Sequence, residues 1–134
     1  MDSKAFLDSS VILYAFDEVA RHKSERSFEL INQRLIVSPQ VLFETLFVLR
    51  RKVRLEKADA INFVKFLLRQ SVLQVEDKAV AELAFSIFNK YLIQPFDSKI
   101  VAAALIAGCA KLYSEDMQHG LVIENQLTII NPFI

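Results

Sequence analysis

The chain has 134 residues, and 53% of them are hydrophobic, with 11 phenylalanines but only 2 glycines and 3 prolines. This composition excludes a disordered chain, disfavours a many-turned β sandwich, and predicts one α-rich α/β domain spanning residues 1–134. The 16 basic and 16 acidic residues cancel, so net charge gives no signature of nucleic-acid binding.

The first predicted element is a short buried strand at residues 5–7. It ends at Asp8-Ser9-Ser10, and the apolar segment 11–14 that follows begins a helix. Asp8 therefore lies at the carboxyl end of the strand. Aspartate is a favoured helix N-cap, so Asp8 is either a cap alone or a cap that also binds a ligand.

The second strand, at residues 35–38, leads into a helix that begins at Pro39, a position where proline is well tolerated. Glu44 lies about a turn and a half into this helix, and Phe47 and Val48 are among its apolar helical neighbours. An unpaired carboxylate is costly to bury there. Glu44 must therefore take up a proton, pair with an arginine or bind a metal.

A basic cluster follows at the end of the same helix: Arg50, Arg51, Lys52 and Arg54. Cations are favoured at a helix C-terminus, so capping and solubility explain the cluster in structural terms. Its functional interpretation is a patch that contacts phosphates beside a nucleic-acid groove.

The remaining amphipathic stripes and short apolar runs predict helices at 24–33, 57–71 and 77–91, a third strand at 73–76 and a last strand at 127–130. Strands alternate with helices, which favours a central parallel sheet flanked by helices over a helical bundle. The apolar stripes of the helices are interpreted as core, or as the surface of a dimer or partner.

Two more acids lie at the two ends of one helix-to-strand unit at residues 95–120. Asp97 is predicted to cap a helix that begins after Pro95 and weakens at Gly108, and Asp116 follows a strand at 111–114. In an open α/β sheet both positions lie at the same edge, so the two carboxylates should converge. The structural alternatives are a helix cap for Asp97 and a solvated turn for Asp116.

The four acids, Asp8, Glu44, Asp97 and Asp116, are thus expected at one edge of the sheet. Each close pair of carboxylates repels by on the order of 4 kcal/mol at an effective dielectric constant near 20, unless a proton or a cation compensates. Oxygen ligands suit Mg²⁺ or Mn²⁺ rather than zinc. The chemistry that such a site implies is hydrolysis of a nucleic-acid backbone.

Five segments in this order resemble a PIN domain: 6–14, 37–44, 97–104, 112–120 and 131–133. Chain length and segment order resemble the VapC-type toxins of toxin–antitoxin pairs. The resemblance implies a PIN-like three-layer sandwich and a Mg²⁺-dependent endoribonuclease acting on single-stranded or loop RNA, with Mn²⁺ able to replace Mg²⁺.

The resemblance also assigns residues and partners. Asp8, Glu44, Asp97 and Asp116 would be the catalytic, metal-binding quartet, and Ser114 the hydroxyl residue that orients the fourth acid or a water. A homodimer and a cognate antitoxin are the implied partners. Ser10 is a departure, because the family often has asparagine there, although serine also caps helices and forms hydrogen bonds.

Two other interpretations match parts of the sequence. A phosphatase of the haloacid dehalogenase type also begins with a strand that ends in aspartate, but it needs a second aspartate where this chain has Ser10. A non-catalytic PIN-like module that binds RNA or protein without cutting is the other alternative. The intact quartet argues against it.

The remaining features are the single cysteine, His119 and the absence of targeting signals. Cys109 is the single cysteine and is predicted to be a small buried hydrophobic residue. No signal peptide is recognised at residues 1–4 and no apolar run approaches the ~20 residues that span a bilayer, so a cytoplasmic protein is expected. His119 is interpreted as a surface turn residue without a catalytic role.

Overall fold

The computed structural model describes residues 4–134, and its centre is a six-stranded sheet in the order β3-β2-β1-β4-β6-β5. In chain order the strands are β1 (Ala5–Leu7), β2 (Ile36–Val37), β3 (Val72–Leu73), β4 (Lys111–Tyr113), β5 (Val122–Ile123) and β6 (Leu127–Ile130). Strand β3 begins one residue before the predicted 73–76 and ends at Leu73, because the pairing with β2 involves only Val72 and Leu73.

Five of the strands are parallel, as the alternation of strands and helices predicts, and the register places Phe6 of β1 between Ile36 and Leu112. Strand β5 was not predicted, and it runs antiparallel to β6. The link between them is a tight turn in which Glu124 and Asn125 have φ values of 52° and 54°. A turn this short can join only antiparallel strands, so the sheet is mixed.

Six helices flank the sheet: α1 (Ser9–Ile12), α2 (Arg21–Ile31), α3 (Pro39–Arg51), α4 (Lys57–Gln70), α5 (Lys78–Lys90) and α6 (Pro95–Ile106). A 3₁₀ turn, Leu13–Phe16, continues α1. The predicted helices are present, with ends that differ by a few residues. The predicted α/β architecture is therefore confirmed, apart from the antiparallel strand β5.

Helix α6 differs from its prediction at its start. It begins at Pro95 with Gln94 as N-cap, so Asp97 is the third residue of the helix rather than its cap. Proline at the first position explains the earlier start, since its missing N–H has no helical partner there. Asp97 lies in the first turn, where the helix dipole favours a carboxylate.

The other end of α6 is closed by a Schellman motif. Gly108 has φ of 79°, and its N–H donates to the carbonyl of Leu105, while the N–H of Cys109 donates to the carbonyl of Ala104. Glycine adopts this backbone conformation without steric cost. The motif reverses the chain from α6 directly into β4.

The core is built around α6, in which every residue from Ile100 to Leu105 is buried. It packs along α5 and against β4. Cys109 is fully buried next to it, and burial raises the pKa of its thiol to about 11, so the prediction of an inert buried cysteine is confirmed. Across residues 4–134, no helix combines the length and apolarity that crossing a bilayer requires.

Candidate active site

The order of the strands reverses between β1 and β4. From β1 the chain builds outward through β2 and β3, whereas β4 and β6 lie on the opposite side of β1. In open α/β sheets this switch point opens a crevice at the carboxyl ends of the strands, where ligands bind. Asp8 directly follows β1, and Asp116 follows β4 by three residues.

Asp97 reaches the same edge by a different route from the one predicted. The element before α6 is α5, not a strand, so the rule for a helix that follows a strand does not apply to Asp97. Its position follows instead from the turn at Gly108, which joins the end of α6 to the start of β4. Asp97 and Asp116 line one small cavity. The predicted convergence of these two acids is therefore confirmed.

Asp8 is 3% exposed and its carboxylate is held by three hydrogen bonds. Oδ1 accepts from the N–H of Ser9 at 2.8 Å, and Oδ2 accepts from the hydroxyls of Ser10 and Ser114, both at 2.9 Å. Burial raises the pKa of Asp8 and the charge of Asp116 adds to that effect, while the three hydrogen bonds oppose it. Asp8 is thus both the cap of α1 and a rigid, desolvated carboxylate.

The two serine hydroxyls connect Asp8 to the loop after β4. Ser10 Oγ accepts from the N–H of Glu115 at 3.1 Å, and Ser114 Oγ accepts from the N–H groups of Asp116 and Met117 at 3.2 and 3.3 Å. Each hydroxyl donates its own proton to Asp8. Ser114 is fully buried, so it holds the main chain of the fourth acid and the side chain of the first.

We expect Ser114→Ala to lower the free energy of unfolding by about 1–3 kcal/mol, because two main-chain N–H groups and one carboxylate oxygen lose a partner. Urea unfolding with an unchanged slope against denaturant would measure this loss. Ser27→Ala is the matched control, since the fully buried Ser27 hydroxyl makes one hydrogen bond, to the carbonyl of Ile12. Equal losses for the two variants would contradict the proposed bridging role of Ser114.

Glu44 is half-buried on the wall of an open groove. Its carboxylate accepts from Ser9 Oγ at 3.3 Å and from Gln40 Nε2 at 3.4 Å. Burial raises the pKa of Glu44, and the negative charge of Asp8 adds to this effect. Within residues 4–134 no arginine or lysine pairs with Glu44, which removes the salt-bridge alternative for that part of the chain.

Asp97 also has a raised pKa. Burial and then the charges of Asp8 and Asp116 raise its pKa from 3.8 to about 6. In the described part of the chain, no hydrogen-bond donor and no cation pairs with its carboxylate. Because the pKa of Asp97 responds to two other acids, and that of Glu44 responds to Asp8 and Asp97, the four carboxylates form one electrostatic cluster.

Whether this cluster suits a divalent cation depends on how tightly the ion must be enclosed. Among residues 4–134, no three acidic, histidine or cysteine side chains lie close enough to enclose a metal ion. Mg²⁺, however, typically keeps several waters and uses only one or two carboxylates as direct ligands. Oxygen donors with raised pKa values and no competing cation therefore fit a hydrated Mg²⁺ ion.

The groove beside the acids has a volume of about 880 Å³ and combines aromatic with cationic side chains. Phe43, Phe47 and Phe96 are 70%, 61% and 69% exposed along it. Lys52 and Lys99 also line it, and Lys99 lies 3.5 Å from Glu76. Aromatic faces for stacking and cations for phosphates are the features with which proteins bind single-stranded nucleic acid.

The residues of the basic cluster at the end of α3 make different contacts. Arg50 donates to the carbonyl of Leu55 at 3.0 Å and thereby closes the loop after the helix. The Arg51 guanidinium lies 5.7 Å from the centre of the Phe47 ring. Only Lys52 lines the groove.

A second charged cluster contributes Tyr14 and Glu115 to the lining of the groove and was missed by the sequence analysis. Glu115 accepts hydrogen bonds from Lys23 Nζ at 2.8 Å and from the Tyr14 hydroxyl at 2.5 Å. Burial alone would raise the pKa of Glu115, but these hydrogen bonds outweigh it and hold the pKa below its ordinary value. The charge of Glu115 is thereby balanced by Lys23, whereas none of the four acids has a cation partner within residues 4–134.

Other residues at the site were also missed, although the sequence held a signal for some of them. Ser9 is adjacent to Asp8, and Gln40 precedes Glu44 by one helical turn, the spacing at which helical side chains meet. His119 is exposed and its Nδ1 accepts from the N–H of Asn131 at 2.9 Å. It therefore belongs to a surface turn, as predicted.

Comparison with known proteins adds a family match. The profile of the PIN domain family matches residues 5–120 of the chain. No curated protein sequence matches the chain significantly.

Several solved structures have a similar fold at low sequence identity. VapC20 of Mycobacterium tuberculosis, a toxin that cleaves the sarcin–ricin loop, is 18% identical with a TM-score of 0.67, and the alignment covers 84% of this chain and 90% of that one. DNA-bound VapBC of Salmonella typhimurium is 17% identical with a TM-score of 0.70, covering 96% and 97%. A toxin–antitoxin complex from Klebsiella pneumoniae is 13% identical with a TM-score of 0.69, covering 96% and 98%.

Proposed function

Because the chain belongs to the PIN domain family, we propose that it is a Mg²⁺-dependent endoribonuclease and the toxin of a toxin–antitoxin pair. The observation that carries the proposal is the electrostatic cluster of four carboxylates at the switch point of the sheet. Three of these acids have raised pKa values, and within residues 4–134 none of the four has a cation partner.

The residues that would hold the ion are Asp8, Glu44, Asp97 and Asp116, with Mn²⁺ able to replace Mg²⁺. When bound, the ion supplies an activated water and stabilises negative charge on the phosphodiester. Not all four acids need to contact it directly, since acids further away can accept hydrogen bonds from its waters.

The chain's own residues would position the ion and the RNA. Three hydrogen bonds fix the orientation of Asp8, and Ser114 fixes the main chain that carries Asp116. Lys52 and Lys99 lie in the groove, where they can contact RNA phosphates, and exposed phenylalanines there offer faces on which bases stack. The groove is open, which suits an unpaired strand or a loop of RNA.

The proposed partners follow from the similar structures, of which the Salmonella and Klebsiella examples contain both toxin and antitoxin. We propose a cognate antitoxin and a second copy of the chain as partners, with RNA as substrate, in the cytoplasm. Exposed phenylalanines on α5 are consistent with a covered surface, since Phe85 and Phe88 are 72% and 51% exposed.

Cleavage of labelled single-stranded RNAs and tRNAs by the purified protein tests this function. We expect cutting with Mg²⁺ or Mn²⁺ and none with EDTA, because the repelling carboxylates need the ion to act together. Glu124→Gln is a suitable control for the loss of a carboxylate, since the Glu124 carboxylate pairs with Lys90 and is not one of the four acids. Metal binding without cutting of any RNA would favour the alternative, a PIN-like module that binds RNA or protein without catalysis.

A further inference from the structure

Gln40 makes an unusual pair of contacts beside the acidic cluster. It lies in the first turn of α3 and is 9% exposed. Its Nε2 donates to the carbonyl of Phe96 at 3.1 Å and approaches Glu44 Oε2 at 3.4 Å. In the described part of the chain, this amide makes the only hydrogen bond between α3 and α6.

The orientation of the amide is set by its neighbours. Both close partners of the Gln40 side chain are oxygens that accept hydrogen bonds, so the NH₂ group must face them. Its carbonyl oxygen Oε1 consequently points elsewhere, and it is buried without a hydrogen-bond partner among residues 4–134. Leaving a buried polar atom unpaired is unfavourable for folding.

An apolar side chain of the same length would avoid this cost. What the amide supplies in return is the two contacts of its NH₂ group. What it connects is informative: Glu44 on α3 is one of the acids, and Phe96 immediately precedes Asp97, another acid, in the first turn of α6. These two helices come from separate parts of the chain, and the Gln40 amide links them beside the site.

We propose that Gln40 is a positioning residue that holds the carboxylates of Glu44 and Asp97 at the spacing required to bind one metal ion together. The inference rests on the proposed function, because it assigns a role to Gln40 in the same site. It predicts that loss of the amide weakens metal binding and slows cleavage while the fold is retained.

Gln40→Met tests the proposal, since methionine keeps the length and flexibility of glutamine without its polar atoms. Relative to the parent, we expect the Kd for Mn²⁺, measured by calorimetry, to rise by about 10-fold or more. We also expect a similar fall in kcat with KM for RNA nearly unchanged. The Tm of the metal-free variant should equal or exceed that of the parent.

Gln126→Met is the matched control. Its amide also donates to main-chain carbonyls, those of Leu105 and Cys109 at the far end of α6, at 3.1 and 3.4 Å. This variant should lose some thermal stability and keep the Mn²⁺ affinity and kcat of the parent. The two variants thus separate loss of positioning from loss of stability.

The possible failures are distinguishable. A parent protein that binds no Mn²⁺ would overturn the proposed function and this inference with it. A parent that binds Mn²⁺ and cuts RNA, together with a Gln40→Met variant of equal affinity and kcat, would overturn only the inference. A Gln40→Met variant whose Tm falls while its Mn²⁺ affinity stays unchanged would assign the amide to the fold and also overturn it.

Discussion

Replacement of Glu44 by glutamine is expected to reduce metal-dependent RNA cleavage by at least about 100-fold, because it removes one of the carboxylates proposed to hold the ion. Glutamine keeps the shape of the side chain and can still accept a hydrogen bond from Ser9. The loss should therefore appear in the rate of the chemical step. Single-turnover cleavage at saturating Mg²⁺ measures it, and parental rates would exclude Glu44 from the site.

The same substitution should leave the fold intact and raise the free energy of unfolding in metal-free buffer. Burial and the charge of Asp8 raise the pKa of Glu44, which means that its ionised form is disfavoured in the folded protein. A neutral side chain removes that penalty at pH 7.5. Urea unfolding in EDTA measures the change, and a clear loss of stability would contradict this explanation.

Glu124→Gln is the control, because it should change the free energy of unfolding in the opposite direction. The Glu124 carboxylate accepts hydrogen bonds from Lys90 at 2.7 Å and Tyr91 at 3.0 Å, which lower its pKa, so its ionised form is favoured in the folded protein. Its replacement should reduce stability slightly and leave cleavage unchanged. The pair of variants separates removal of a repelling charge from removal of any carboxylate.

The metal-free protein is expected to lose stability as the pH rises from about 4 to about 7, in part because of Asp97. Its pKa is raised from 3.8 to about 6 in the folded protein, so the folded state binds the proton more tightly than the unfolded state. Stability is thus fully present below the unfolded value and decreases as the carboxyl ionises. Thermal unfolding across this pH range in EDTA measures the effect.

The size of the effect can be bounded. A shift from 3.8 to about 6 corresponds to about 3 kcal/mol for a fully buried group, and solvent screening of the partly exposed Asp97 reduces this to on the order of 1 kcal/mol. Asp97→Asn should flatten the pH profile by that amount and abolish cleavage. Mg²⁺ should raise the Tm of the parent at pH 7.5 more than that of the variant. Identical pH profiles for the parent and Asp97→Asn would show that ionisation of Asp97 does not destabilise the fold.

Much of the candidate site could be predicted from the sequence because short buried strands are easy to recognise. Asp8 and Asp116 follow the predicted strands at 5–7 and 111–114, and neighbouring parallel strands end at one edge. Glu44 was recognisable because a carboxylate stood in an apolar helical segment. In the structure, however, Glu44 lies on a groove wall beside the exposed Phe43 and Phe47, because this side of α3 faces the groove rather than the core.

The remaining features depend on contacts between distant segments. No strand precedes α6, so the position of Asp97 depends on how α6 packs and where it turns into β4. The bond from Ser114 to Asp8 spans 106 residues, and that from Gln40 to Phe96 spans 56. Local sequence patterns do not predict hydrogen bonds between residues this far apart in the chain. Strand β5 was not predicted because it is defined by its antiparallel pairing with β6 across a tight turn.

The two outermost strands, β3 and β5, are only two residues long. A chain without net charge near neutral pH has little electrostatic repulsion to prevent aggregation. This chain also exposes several phenylalanines. Unpaired edge strands normally make such a chain prone to fibril formation. Edge strands of only two residues, however, offer almost no template for an added strand. Concentrated solutions of the protein should therefore associate through helix faces, giving discrete assemblies rather than amyloid.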